Sequence, residues 1–424
     1  MIEYPANYLI RLCDIEMQKA LDATGAVLIE GAKWCGKTRT ATFASKSVIY
    51  MQDPDNAEVY QAMADSKPSL LLRGDTPRLI DEWQMAPILW DAVRFEVDKR
   101  SKMGQFILTG SAVPTDNVTA HTGTGRISRV LMRPMSLFES LESTGDVSLA
   151  DLFSGKQDIE AISPLTIEQL AFALCRGGWP ASIGRKEKAA LRMPMDYVEA
   201  VINHDVSRVD DVDKNPSRVR MLLRSLARNI ATLASSQTIQ KDIEANDSAI
   251  STKTISSYLN ALRRIFVIED LQAWSPSLRS KTAIRTSSKR HFVDPSIATA
   301  VMRTTPEGLL KDFETFGFLF ESLCTRDMRV YAQINDGDVF HYRDKNGLEA
   351  DMIICLHDGR WGAVEVKLGN RQIEIAAKNL LKLRAKIDTK KMGEPSFLMV
   401  LTGGQFAYRR EDGVLIVPIG CLKS

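Results

Sequence analysis

Two kinds of apolar pattern alternate along the chain. Near the N-terminus the runs are short and continuous: Ala26-Val27-Leu28-Ile29, Leu79-Ile80, and Phe106-Ile107-Leu108, each ending in polar or glycine residues. Such runs read as β-strands, and the first leads through a glycine-bearing loop into the helical stretch TRTATFA. After Ser140 the spacing becomes helical, with Ile167, Leu170, Ala171 and Leu174, then Val219 to Ala234, then Ile255, Leu259, Leu262 and Phe266. Beyond His291 strands return at Val339–Arg343, Leu348–Leu356 and Trp361–Lys367, the last two joined as a hairpin through His357-Asp358-Gly359-Arg360. The expectation is an α/β chain in three domains, residues 1–140, 141–290 and 291–424, the middle one helical.

The first loop carries chemistry. Gly31-Ala32-Lys33-Trp34-Cys35-Gly36-Lys37-Thr38 fits G-x-x-x-x-G-K-[ST] between a strand and a helix. In that pattern glycines let the backbone wrap phosphates, amide N–H groups and a helix N-terminus bind the anion, lysine reaches the β/γ-phosphates, and the hydroxyl holds Mg²⁺. Gly31, Gly36, Lys37 and Thr38 are therefore nucleotide-binding candidates, together with Arg39 in the same helical turn. The strand ending Leu79-Ile80-Asp81-Glu82 supplies two acids: Asp81 to hold Mg²⁺ and Glu82 to polarise the attacking water. Thr109 and Ser111, at the end of Gln105-Phe106-Ile107-Leu108, are both candidates to sense the γ-phosphate between those motifs. After the glycine-rich HTGTGR, Arg126 is the candidate arginine finger for a neighbouring subunit, with Arg129 and Arg133 as alternatives.

The order GAKWCGKT, LIDEWQ, FILTGSA, GR and MRPMSLFES resembles the AAA family of bacterial and archaeal ATPases that carry a DUF4143 C-terminal region, over nearly the whole chain. That resemblance implies an AAA-type α/β sandwich with a parallel sheet, using ATP and Mg²⁺. The GGWP element, Gly177 to Pro180, also resembles that family; it reads as a structural corner anchored by Trp179, with Arg176 as a second sensor arginine near the nucleotide.

In the middle, Ser251-Thr252-Lys253-Thr254 caps a helix that follows another across a turn, and Phe266 to Leu271 follows as a strand. Helix, turn, helix, strand is winged-helix order, with Lys253, Ser256, Ser257 and Asn260 on the outer face as DNA contacts. The same module also serves as a packing unit. Leu278 to His291 holds five formal positive charges and no acid, a pattern that suits phosphate contacts or a basic surface loop.

At the C-terminal hairpin Asp351 falls early in one strand, and Glu365 and Lys367 share a face of the next. Carboxylates holding Mg²⁺ beside a lysine that activates water are what phosphodiester cleavage requires. The arrangement resembles the PD-(D/E)xK nuclease superfamily, which implies a restriction-endonuclease-like α/β domain with Asp351, Glu365 and Lys367 catalytic and Glu321 as the helix-borne acid. Asp351, Glu365 and Glu321 would be metal ligands. Two readings stay open: an active nuclease, or a nuclease-like scaffold used to bind a partner.

Composition adds limits. Among 424 residues, 55 basic and 53 acidic side chains leave a net charge of +2, so nucleic-acid affinity must come from local patches. Six cysteines show no CxxC pair or zinc spacing, which fits a reducing compartment. No stretch reaches the roughly 18 apolar residues of a membrane span, and the N-terminus lacks a basic flank and apolar core. The expectation is a cytoplasmic homo-oligomer that binds ATP, Mg²⁺ and nucleic acid, DNA above RNA, and no membrane.

Overall fold

The strand β1 (Ala26–Glu30) sits inside a five-stranded sheet with β2 (Ser47–Tyr50), β3 (Arg78–Asp81), β4 (Phe106–Gly110) and β5 (Ile127–Leu131). The structure, a computed structural model, describes residues 8–110, 122–209, 214–244, 251–276 and 287–424. Ser111, and Leu278 to Thr286 of the basic segment, lie outside the described residues. Those described fall into two compact units, one drawn from Met1–Pro134, Asp205–Asp213 and Ala261–Phe266, the other from Met135–His204, Lys214–Asn260 and Val267–Ser424.

In the first unit the sheet order is β2-β3-β4-β1-β5 and every pairing is parallel. Its strands read as continuous apolar runs because both faces are covered. Ala26, Leu28, Ile80, Phe106 and Leu108 pack with Trp83, Trp90 and Val93 on one side. The alternate residues Val27, Ile29, Leu79 and Ile107 pack on the other with Met17 and Leu21 of helix α1 (Cys13–Ala23) and Ala41 of helix α2 (Lys37–Ala44). Parallel register, with Ile29 opposite Thr109 and Ile80 opposite Leu108, brings the carboxyl ends of β1, β3 and β4 to one edge of the sheet. Ligands of open parallel sheets bind at that carboxyl edge.

The second unit holds the short strand β6 (Val147–Ser148) and seven further strands, β7 (Glu160–Ile162), β8 (Gly337–Arg343), β9 (Glu349–Leu356), β10 (Trp361–Lys367), β11 (Leu398–Thr402), β12 (Phe406–Arg409) and β13 (Leu415–Pro418). The seven form a mixed sheet in the order β7-β12-β13-β11-β10-β9-β8. Ala376, Ala377, Leu380 and Leu383 of the helix Ile373–Lys386 pack on Ile353, Trp361, Ala363, Val400 and Ile416. The long helix Phe313–Ile334 packs against β8, β9 and β10. Residues 147–162, grouped by sequence with the helical middle, instead supply sheet partners to the C-terminus. Glu160 to Ile162 pair with β12, and Val147 and Ser148 with Leu422 and Lys423.

The middle helices are Pro216–Arg228, Ser236–Glu244 and Thr252–Arg264, the last opened by Ser251 Oγ accepting from Thr254 N–H at 3.1 Å. The strand expected over Phe266 to Leu271 is realised as isolated bridges, Ile268 with Phe292 and Leu271 with Lys289. His291 therefore does not open a separate body: its arm folds back on the residues after the last helix.

The GGWP corner packs too closely for side chains. A Cβ on Gly178 would lie 2.1 Å from the Met135 carbonyl oxygen, and one on Gly177 would lie 2.3 Å from Ser296 Oγ. Trp179 is fully buried, stacks near Tyr197 with centroids 4.6 Å apart, and donates from Nε1 to Ser296 Oγ at 3.0 Å. Arg176, read from the sequence as a second sensor arginine, is buried and forks onto Glu142 at 2.6 and 2.8 Å. Among the described residues no helix is long and apolar enough to cross a membrane. Trp179→Ala is expected to destabilise the second unit by about 3–5 kcal/mol, read as a lower midpoint for its urea transition. An unchanged midpoint would contradict the anchoring role.

Candidate nucleotide site and a buried charge cluster

At the carboxyl edge of the parallel sheet the loop after β1 turns on Gly31, whose φ of 149° and lack of a side chain are both required: a Cβ there would lie 2.1 Å from the Met132 carbonyl oxygen. Gly36, with φ 108°, precedes the first residue of α2. Lys37 is buried and its Nζ donates to the carbonyls of Gly31 and Ala32 at 2.8 and 2.7 Å, closing the loop on itself. The closed loop leads directly into the N-terminus of α2, where unpaired helix amides suit an anion.

Asp81, at the end of β3, joins three elements. Its Oδ1 accepts from Thr38 Oγ1 at 2.7 Å and from Thr109 Oγ1 at 2.6 Å. Glu82 follows in a left-handed conformation, φ 56°, and its N–H donates to Thr109 Oγ1 at 3.2 Å, while Gln84 Nε2 bonds its carboxylate. A non-glycine residue in that region is uncommon and marks a position held by its surroundings. Arg39 is exposed on the first turn of α2.

Other contacts on the loop were not read from the sequence. Arg11, buried, donates to the carbonyls of Cys35 and Arg133, both at 2.7 Å. Lys33 Nζ meets Asp205 at 2.5 Å. A lone arginine before the first strand carries no local signal for such a role. Cys35 is fully buried with Sγ toward the Met132 carbonyl, so it is not presented for oxidation.

Arg126 lies elsewhere. Its carbonyl accepts from Ala26 N–H at the start of β1, the end of the strand opposite the phosphate loop, and its Nε donates to Asp98 at 2.8 Å. Arg129 pairs with Glu30 at 2.9 Å.

In the second unit the hairpin β9–β10 pairs Met352 with Val364 at the point where Asp351 precedes on β9 and Glu365 follows on β10. Asp351 Oδ2 accepts from Val366 N–H at 2.8 Å and Lys367 Nζ at 3.4 Å, and Lys367 Nζ lies 2.9 Å from Glu365. Lys289, counted by sequence among the basic segment's phosphate contacts, joins this cluster instead. Its Nζ reaches Glu321 at 2.7 Å and Asp351 Oδ1 at 3.1 Å, and the residue is buried. Arg290 is likewise committed, to Asp270 at 2.8 Å and the Ala234 carbonyl at 2.9 Å.

Three carboxylates against two ammonium groups leave one negative charge uncompensated. Burial, then the charge of Asp351, pushes Glu365 up to about 8 against Lys367, and the same two causes push Glu321 up to about 7 against Lys289. Burial alone would raise Asp351, but Lys289, then Lys367 and the Val366 N–H, hold its carboxyl well below the usual range. The cluster therefore shares protons toward neutrality, held on the raised Glu365 and Glu321 rather than on Asp351.

The two sites differ in their fit to Mg²⁺. Thr38 Oγ1 and Asp81 Oδ1 suit an ion that takes its other ligands from phosphate and water. The Asp351 cluster does not: an ammonium already spans Asp351 and Glu321 and another spans Asp351 and Glu365, and among the described residues no group of three or more His, Cys, Asp or Glu is arranged to hold a metal.

Three family profiles match the chain. Residues 23–141 match the AAA domain family. That match covers all five strands of the parallel sheet and the site built on Lys37, Thr38, Asp81 and Thr109. Residues 167–308 match a domain of unknown function, DUF8612, and residues 316–422 another, DUF4143. No curated protein matches. Among solved structures the chain is similar to the Walker-type ATPase PABY2304 of Pyrococcus abyssi, at 12% identity and TM-score 0.41, over 70% of this chain and 96% of that one. It is also similar to Drosophila ORC bound to DNA, at 12% identity and TM-score 0.20, over 63% and 86%. Likenesses this low leave the site to be read from its own geometry.

The shared protons set a pH dependence. Glu365 and Glu321 are raised in the folded state, so between about pH 4.5 and 8 the native state binds more protons than the unfolded one, and stability falls as pH rises. Glu365→Gln is expected to flatten the fall in melting temperature of the second unit between pH 6 and 8 (about the upper half of that window); a slope equal to wild type would show the proton is not held there.

Proposed function

We propose that this chain binds ATP on the loop Gly31 to Thr38, hydrolyses it with Mg²⁺, and uses nucleotide state to control nucleic-acid binding by the second unit. The observation that carries the first part is Asp81 Oδ1 accepting from both Thr38 and Thr109, which ties the phosphate loop to the two strands whose ends face it. Thr38 and Asp81 are the residues that would hold Mg²⁺, which when bound would neutralise charge on the β/γ-phosphates. Lys37, an ammonium with one donor beyond those on Gly31 and Ala32, turns it to the γ-phosphate. Glu82 orients and deprotonates the attacking water once Gln84 yields its carboxylate, and Thr109 links Asp81 to Glu82 so that both acids move together. Arg126 serves a neighbouring subunit, since its place at the far end of the sheet removes it from its own phosphate loop.

Nucleic-acid binding rests on the three helices followed by two paired arms, a winged-helix order, and on the exposed face Lys253, Ser256, Ser257 and Asn260. A second reading, a nucleotide-dependent switch that binds a protein partner, is favoured over cleavage by one fact: Lys289 already neutralises the acids a nuclease would give to metal.

Lys37→Ala is expected to abolish binding of a fluorescent ATP analogue, and Glu82→Gln to keep binding while lowering turnover by about 10²–10⁴-fold. A Lys37→Ala chain turning over ATP at the wild-type rate would refute the site. For the second unit, Lys253→Glu is expected to weaken binding to duplex DNA and reduce its salt slope by about 1. No DNA binding in any nucleotide state would leave the protein-partner switch. Incubation of DNA with Mg²⁺ or Mn²⁺ is expected to give no cleavage; cleavage lost in both Asp351→Ala and Lys367→Ala would establish a nuclease.

A further inference from the structure

Two cations hold the phosphate loop, and the sequence motif accounts for one of them. Lys37, inside the motif, bonds the Gly31 and Ala32 carbonyls. Arg11, which lies outside it and precedes α1, donates from Nη1 to the Cys35 carbonyl and from Nη2 to the Arg133 carbonyl, both at 2.7 Å. Arg11 is 3% exposed and Cys35 fully buried. A guanidinium taken out of water must recover its hydration from hydrogen bonds, so these contacts hold it in one place. The Arg133 carbonyl follows that of Met132, which accepts from Cys35 Sγ at 3.4 Å and closes against Gly31. One side chain therefore ties the loop to the segment after β5.

The consequence of the Cys35 bond follows from the peptide plane. In a trans peptide the carbonyl and the N–H that follows it point in opposite directions, and the Cys35 carbonyl shares its plane with the Gly36 N–H. Holding the oxygen on Arg11 aims that N–H the other way, and commits to a cation an oxygen whose partial charge would repel phosphate. Gly36 has φ 108° and no side chain to restrain the plane, so the restraint has to come from elsewhere. A positive charge on the carbonyl also polarises the peptide and makes its N–H a stronger donor. Arg11 is itself held. Its N–H donates to Asp14 Oδ2 at 3.0 Å, and Asp14 Oδ1 accepts from the Tyr8 hydroxyl at 2.8 Å. That hydroxyl lies 2.7 Å from Thr40 Oγ1, and the Tyr8 ring stacks on Phe43 with centroids 5.1 Å apart. Thr40 and Phe43 belong to α2, so residues 8–14 form a strap bonded both to the loop and to the helix that the loop opens.

We propose that Arg11 is a positioning residue for polyphosphate: by holding the Cys35 carbonyl it presents the Gly36 N–H to the anion. The inference rests on the reading of this loop as a nucleotide site and adds to it a residue outside the G-x-x-x-x-G-K-[ST] pattern. Arg11 acts through the loop, and its hydrogen bonds go to neither Thr38, Asp81 nor Glu82. It therefore serves ground state and transition state alike, and its loss falls on binding rather than on the chemical step.

The test compares the full chain as wild type and as Arg11→Met, using a fluorescent ATP analogue, its displacement by inorganic tripolyphosphate, and steady-state ATP hydrolysis. Arg11→Met is expected to weaken the analogue and tripolyphosphate by the same factor, about 10–100-fold, as the loss of one aimed donor to a charged acceptor. KM for ATP is expected to rise while kcat stays within about twofold of wild type. A folded Arg11→Met chain that binds tripolyphosphate as wild type does would overturn the proposal, and so would a fall in kcat as large as the rise in KM. Wild type decides the matter even if Arg11→Met fails to fold. Cys35 is the only cysteine followed by glycine, so labelling cysteine carbonyls with carbon-13 and glycine amides with nitrogen-15 isolates the Gly36 N–H by NMR. Its proton is expected to move downfield when tripolyphosphate binds, and an unmoved resonance in the bound chain would overturn the proposal. A wild type that binds neither probe would overturn the nucleotide reading and this inference with it, whereas binding of both probes with Arg11→Met unchanged would overturn this inference alone.

Discussion

Asp81 accepts two hydroxyl hydrogen bonds on one oxygen, and much of the first unit is arranged so that it can. The bonds from Thr38 and Thr109 require the ends of β1, β3 and β4 to finish level, which the parallel register provides. They also require an apolar layer on each face of those strands, since only a sheet covered on both sides holds its strand ends to the tolerance of a hydrogen bond. Hydrogen bonds to a charged acceptor contribute about 1.5–3 kcal/mol each. Their larger consequence is positional: Thr109 passes the placement of Asp81 to the Glu82 N–H, and Thr38 passes it to the first turn of α2, so the elements of nucleotide chemistry form one bonded chain.

The second unit uses a carboxylate the same way and reaches the opposite state. Asp351 is also the shared acceptor of several donors, but two of these are ammonium groups. An acceptor satisfied by hydroxyls remains available to a cation, whereas one satisfied by ammonium ions is already neutralised. That contrast separates a carboxylate left open to a cation from one to which the protein itself supplies the cation, although both sit near strand ends of α/β sheets and both present acid and lysine.

Legibility in the sequence followed chain proximity. The loop Gly31 to Thr38 and the strand ending in Asp81 and Glu82 are contiguous patterns whose residues need one another within a few positions, and the structure brings Lys37, Thr38, Asp81 and Thr109 together. The hairpin carrying Asp351, Glu365 and Lys367 was legible for the same reason. Arg11, which pins the Cys35 carbonyl, was not, because nothing in its surroundings distinguishes it from a surface arginine. The edge strand Glu160–Ile162 was missed because an edge strand this short carries too little alternation to separate it from loop, and its partner lies in β12.

What the sequence determined by itself was the short apolar runs, the phosphate loop between strand and helix, and the pairing of an acid with a lysine on one strand face, since each is set by local backbone geometry and side-chain period. What only the tertiary structure decided was the meaning of Lys289. As sequence it is one positive charge among five in a segment without acids, a pattern that describes a solvated face. Folded, the arm bearing it lies between Leu271 and Thr232, its side chain points away from water, and a buried ammonium must find carboxylates. Those carboxylates are far away in the chain, at Glu321 and Asp351, so no local pattern could have named them.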